Sequence, residues 1–319
     1  MPEEHALIER LRPHDRPLSP DDPMAEAGRV VLLRDFMTML QHEEGAQSGE
    51  DIEDVHEMRV STRRMRSALR LLEPYYTGKT ADRFREDLGD VADALGGIRD
   101  RDVLLDHMTA SLAALPEDAQ AELRRIMQLV EGEREAERNI LRRMIRKRRY
   151  TRFVERYSDF LTTPGAKAVT FSETAVAPTL VRHVLPTVIY DHLGIVRAYD
   201  AVIATASVPT LHQLRIEFKR LRYAITIFEE VLGTGVKTYL KELKTMQDHL
   251  GRMQDISTAH ALLEALQARL TDEQLAALNV YFAQIDAELD GLRAEAPTLW
   301  KNFDGKTVQK QLTAAVAVL

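Results

Sequence analysis

The chain has 319 residues, with 43 Lys and Arg against 50 Asp and Glu and a formal net charge of −7. A net negative chain repels phosphates at long range unless its cations are gathered in one place, so bulk charge argues against a polyanion ligand and the placement of the cations decides. Cysteine is absent, which excludes disulfides, thiolate metal ligands and cysteine nucleophiles. No apolar run approaches the ~20 residues of a membrane span, and the N-terminus lacks an apolar signal core. A cytoplasmic location is the expectation.

Gly and Pro are scarce, and long stretches rich in Ala, Leu, Glu and Arg carry the 3.6-residue pattern of helices. The expected fold class is all-α. After a tail over residues 1–23, helices are expected over 24–47, 52–73, 79–96, 100–115 and 117–161. A second set is expected over 175–206, 209–233, 236–251, 255–270, 272–296 and 297–315. Pro116, Pro178 and Pro209 fit first-turn positions. Gly96-Gly97 and Gly251 read as breaks between neighbouring helices, with Asp100 and Asp255 as caps of the helix that follows each break. Thr162-Thr163-Pro164-Gly165 interrupts the longest helix and divides two helical bundles, 24–163 and 174–319.

A repeat crosses that division. Residues 55–72 read VHEMRVSTRRMRSALRLL and residues 211–228 read LHQLRIEFKRLRYAITIF. His56, Arg59, Arg64, Arg66 and Ala68 recur as His212, Arg215, Arg220, Arg222 and Ala224, and Arg63 corresponds to Lys219. LGGIRD (95–100) is echoed by LGRMQD (250–255). Such self-similarity indicates two like supersecondary units packed together.

On a helix, Arg59, Arg63, Arg66 and Arg70 form one ridge about 80° wide with cations about a turn apart. His212, Arg215, Lys219 and Arg222 repeat it. Arg64 and Arg220 lie off the ridge. Apolar residues flank both edges, so each helix reads as largely surrounded, with its cations facing a wet cleft. Like charges at this spacing repel, and burying them costs more. Either acids from other helices (Asp90, Asp93, Asp100, Asp248, Asp255) neutralise the ridges, or an anionic ligand does. A third basic segment, 134–156, holds ten Lys or Arg against three Glu. It reads either as a solvated face or as another wall of the same cavity.

His56 and His212 are repeat-related, and the Arg and Lys around them suit an anion better than a divalent cation. The chain shows no phosphate-binding Gly loop, G-x-S-x-G or H-E-x-x-H. No catalytic residue, metal or cofactor is assigned.

The two His-x-x-Arg-x-x-x-[Arg/Lys]-Arg-x-Arg helices and the two LGxxxD turns, in that order, resemble the CHAD family, a histidine-containing α-helical domain. The resemblance covers nearly the whole chain from about residue 24. It implies two four-helix bundles related by pseudo-two-fold symmetry around a basic central cavity that binds inorganic polyphosphate. It also implies association with polyphosphate granules, with polyphosphate-metabolising or granule proteins as further partners. The binding residues it carries over are His56, Arg59, Arg63, Arg66, His212, Arg215, Lys219 and Arg222. Arg64 and Arg220 of the same motif join them, with Arg149 and Arg152 as weaker members. Two departures stand out. With residues 1–23 ahead of the module, the triphosphate-tunnel catalytic domain that precedes it in many members is not expected in this chain, and Gln254 stands where the first copy has Arg99.

The leading expectation is therefore a non-enzymatic polyphosphate binder. A phosphohydrolase or phosphotransferase would need a metal held by carboxylates beside the ridge. Nucleic-acid binding would need stacking aromatics among the cations. Only Phe218 and Tyr223 lie near a ridge, and the first copy has no counterpart, which speaks against nucleic acid. No membrane partner is expected.

Overall fold

The computed structural model describes residues 2–170 and 177–319. Its helices follow one another as α1 (Pro2–Leu11), α2 (Met24–Gln41), α3 (Glu43–Ser48), α4 (Ile52–Leu72), α5 (Thr80–Ser111) and α6 (Glu117–Ile145). They continue as α7 (Arg148–Thr162), α8 (Val181–Arg197), α9 (Val208–Thr226), α10 (Val236–Glu264), α11 (Asp272–Phe303) and α12 (Lys306–Val316). The described residues form no strand, only two isolated bridges, so the all-α expectation holds. None of these helices is long and apolar enough to cross a membrane.

Several expected boundaries are overturned. α5 runs unbroken through Gly96-Gly97, and α10 runs unbroken through Gly251. Asp100 and Asp255 are therefore mid-helix residues, not caps. Of these glycines only Gly97 serves close approach, and Gly251 leaves ordinary contact distance. A Cβ on Gly97 would lie 2.5 Å from the Glu137 carboxylate, and one on Gly251 would lie 3.9 Å from Arg215 Nε. The expected 117–161 helix is two helices, broken at Arg146–Lys147. Pro297 does not start a helix but sits within α11. Residues 2–11, expected as tail, form a helix that packs on α2 and α7, with Leu11 fully buried. The expected start of a helix at 175 and the end of the 164–173 linker fall outside the described residues, and regular α-helix begins at Val181.

Two apolar cores hold the helices. The larger one draws on the stretches Ile8 to Ile98, Leu141 to Met253 and Ala296 to Val316. The smaller one lies where the far ends of α5, α6, α10 and α11 meet, around Met108, Leu123, Ile126, Leu263, Leu278 and Tyr281. Both cores are fed from either side of the 162–165 break. The helices also pair across it: α2 meets α8, α4 meets α9, α5 meets α10 and α6 meets α11. This pairing brings the two repeat helices against each other.

Candidate anion-binding site

Each repeat helix starts on a side-chain cap. Asp51 accepts from the Glu53 amide at 2.8 Å at the head of α4, and Ser207 accepts from the Thr210 amide at 3.3 Å at the head of α9. Such caps satisfy amides that the first turn cannot pair. The apolar faces then fix each helix's rotation. Val55, Met58, Met65 and Leu69 of α4 are buried, as are Leu211, Leu214, Leu221 and Ile225 of α9. With those faces inward, the basic ridges turn towards the α4–α9 seam.

The seam gathers Arg59 and Arg63 from α4 with Arg215 and Lys219 from α9. Arg63 lies over the Tyr223 ring of α9, its guanidinium carbon 5.8 Å from the centroid, which is cation–π distance. Arg59 keeps an ion pair with Asp100 at 3.7 Å. No hydrogen bond or ion pair engages the side chains of Arg63, Arg66, Arg215 or Lys219 among the described residues. The Nε atoms of Arg63 and Arg215 are buried without a partner.

The electrostatics record this crowding. Burial pushes the Lys219 ammonium down to about 7, helped by Arg215, Arg63 and Arg59 and opposed by Asp255. Burial also lowers Arg59 and Arg215. Arg63 adds to the effect on both, while Asp100 opposes it at Arg59 and Asp255 at Arg215. Asp100 itself is raised, chiefly by burial against the pull of Arg59, with Asp255 adding repulsion. Two carboxylates thus face a larger group of cations, and the balance is positive.

The ends of the seam differ. His212 Nδ1 hydrogen-bonds Gln254 Oε1. His56 has Arg99 as its neighbour instead, and burial first, then the Arg99 charge, lowers its pKa. Arg222 donates to Gln247 Oε1 at 2.9 Å.

The remaining candidates lie apart. Arg64 Nε donates to Asp35 Oδ1 on α2 at 2.8 Å. Burial pushes that carboxyl up to about 6 despite the nearby guanidinium. Arg220 pairs with Glu217 at 2.6 Å. Arg149 and Arg152 are exposed on α7, and Arg149 pairs with Asp90 at 2.7 Å and Asp87 at 3.6 Å. Phe218 is no stacking platform: it is fully buried, edge-on to Trp300.

Arg99, Asp100, Tyr223, Gln254 and Asp255 belong to the seam and were not among the expected binding residues. The signal for four of them was the LGGIRD/LGRMQD echo. The sequence offers Asp100 and Asp255 as acids that neutralise the ridges, and the unbroken α5 and α10 carry all four side chains to the seam.

The CHAD domain family model matches residues 31–264. Two curated proteins of Mycobacterium tuberculosis are similar: uncharacterized protein Rv2226 of strain ATCC 25618 / H37Rv and uncharacterized protein MT2285 of strain CDC 1551 / Oshkosh. Each is 28% identical over 304 residues, which cover 93% of this chain and 56% of the relative. The chain thus spans little more than half the length of these relatives. Among solved structures, the CHAD domain from the plant Ricinus communis shares the fold with a TM-score of 0.67 and 24% identity, over 94% of each chain. PptA from Streptomyces chartreusis shares it with a TM-score of 0.65 and 17% identity, over 88% of this chain and 100% of that one.

Proposed function

This chain belongs to the CHAD family, and from that premise we propose that it binds inorganic polyphosphate in a basic cavity along the α4–α9 seam without catalysing a reaction on it. The observation that carries this reading is the set of cations at the seam that have no acceptor among the described residues: Arg63, Arg215 and Lys219. Holding them together is unfavourable in the free protein, and a phosphate chain relieves the cost.

Polyphosphate offers regularly spaced charge and no bases to read. A double ridge of cations a turn apart matches it without fixing a register. Arginine forks add bidentate, charge-assisted bonds to phosphate oxygens. The net charge of −7 leaves the rest of the molecule acidic, which disfavours nucleic acid wrapping around the outside. Cytoplasmic association with polyphosphate granules, and with proteins that make or coat them, is part of the same proposal.

The test is a polyphosphate titration at fixed salt with Arg59, Arg63, Arg215 and Arg222 all replaced by Ala. Helix content by circular dichroism should be retained while affinity is lost. Wild-type binding should fall steeply with added salt, because each phosphate contact releases a counterion. Unchanged affinity in the variant overturns the reading.

One observation favours a second reading. Donor atoms of Glu53, His56 and Glu57 lie within 4.8 Å of one another at the head of α4, and a divalent cation there could support phosphohydrolase or phosphotransferase chemistry. The Arg99 charge beside His56 opposes such an ion. Phosphate release from polyphosphate with Mg²⁺ or Mn²⁺, lost on Glu53→Gln, would establish this alternative.

A further inference from the structure

Tyr223 has a second environment. Besides carrying Arg63 on its ring, it lines a half-open cleft of about 340 Å³ between α4, α8 and α9. That volume is at the small end of ligand pockets, which run from about 300 to 1,000 Å³. Three nitrogen-bearing side chains reach the cleft from three helices: Arg70 from α4, Arg220 from α9 and His192 from α8.

Arg70 has no hydrogen-bond or ion-pair partner among the described residues. Burial lowers its pKa, and Arg85, Arg220 and Arg66 lower it further, against Glu73. Arg220 gives one nitrogen to Glu217 at 2.6 Å, and the rest of its fork is unengaged. His192 Nδ1 is buried without a partner. The nearby carboxylates are Glu217; Glu73, which accepts from Arg85 at 3.0 Å; and Asp191, beside His192. None of them pairs with Arg70. The other walls are Leu71, Ala224 and Ile227, all apolar, with the Ser67 hydroxyl at the edge.

We propose that this cleft is a second anion site that takes a small phosphate monoester, its phosphoryl group held by Arg70, Arg220 and His192 and its apolar body against Leu71, Ala224 and Ile227. Two guanidinium forks on facing helices offer more donors than a carboxylate's two oxygens accept, whereas the three terminal oxygens of a phosphoryl dianion can meet both forks and the imidazole. Polyphosphate has no apolar body to cover the remaining walls. The proposal does not rest on the polyphosphate reading, and a different ligand and different variants test it.

The experiment is a calorimetric titration of the full chain with phenyl phosphate, and separately with inorganic phosphate, at one ionic strength. Wild-type protein should bind phenyl phosphate saturably and inorganic phosphate several-fold more weakly. Arg70→Ala and Arg220→Ala should each weaken phenyl phosphate at least ten-fold, and the Arg59→Ala/Arg215→Ala pair should leave it within about three-fold. Ser67→Phe, which fills the cleft and removes no charge, should abolish binding with helix content unchanged. Absence of saturable binding by wild type, loss confined to the Arg59/Arg215 variant, or full binding with the cleft filled would each overturn the proposal.

Discussion

Arg134, Arg138, Arg142, Arg149 and Arg156, on α6 and α7, each find a carboxylate, at 3.2, 2.6, 2.7, 2.7 and 2.7 Å respectively. Arg63, Arg215 and Lys219, half-buried between α4 and α9, find none among the described residues. The segment that holds the first group, 134–156, is the denser in sequence, yet Asp87, Asp90, Asp102 and Glu135 pair five of its ten cations, and Arg143, Arg146, Lys147, Arg148 and Arg152 stand exposed to solvent. The second is sparser, yet its excess charge persists because α4 and α9 face each other and only Asp100 and Asp255 stand near. Local density of cations is therefore a poor guide to an anion site. What counts is the charge left both unpaired and withdrawn from solvent after the neighbouring helices are in place.

The widest separation between the two regions should appear in polyphosphate binding. Replacing Arg59, Arg63, Arg215 and Arg222 by Ala removes several charge-assisted contacts of about 1.5–3 kcal/mol each and should cost at least a hundred-fold in affinity. The matching fourfold change at Arg142, Arg149, Arg152 and Arg156 should cost only a few-fold. Equal losses in a fixed-salt titration would erase the distinction.

Stability should respond in the opposite sense. Arg134→Ala leaves Asp102, only 1% exposed, as a buried carboxylate without its ion pair, and should cost about 3 kcal/mol in urea unfolding. Lys219→Met should instead stabilise. The ammonium titrates near 7 in the folded protein against 10.5 ordinarily, so between those values the unfolded chain binds more protons and stability rises with pH. The penalty is complete below pH 7, and the gain in melting temperature should be larger at pH 6 than at pH 9. A bound phosphate chain favours the charged form, so wild-type binding should take up a proton and weaken as pH rises above 7. A gain independent of pH would show that Lys219 is not held in a depressed state.

The smallest expected effect concerns the unequal ends of the seam. Arg99→Gln makes the first end resemble the second. It should raise the His56 pKa, readable by imidazole NMR titration, and weaken polyphosphate by only a few-fold. An unmoved His56 titration would show that burial alone lowers it.

The repeat helices were legible because helical periodicity places His56, Arg59 and Arg63, and their counterparts, on one face whatever surrounds them. The all-α class followed from the same periodicity. Glycine misled: Gly96, Gly97 and Gly251 carry helix-breaking propensity, but a cost of about 1 kcal/mol each is easily outweighed by packing along a long buried helix. Breaks at these glycines would make Asp100 and Asp255 caps; the unbroken α5 and α10 give them the other role the sequence offers, acids that face the ridges. Arg64 lies off the ridge, as its helical position implies, and its Nε is held by Asp35. Its place in the motif says nothing of Asp35, a buried carboxylate on another helix that claims it.

By itself, then, the sequence determined the helices, the duplicated cationic face and the family likeness, since all three are properties of residue order along a single helix. The tertiary structure alone decided which cations remain unpaired, because neutralisation depends on helices distant in the chain: α5 and α10 supply the seam's few acids, while α5 also pairs Arg149 and Arg156 of α7. It alone set Tyr223 between Arg63 and the second cleft, where side chains from three separate helices converge.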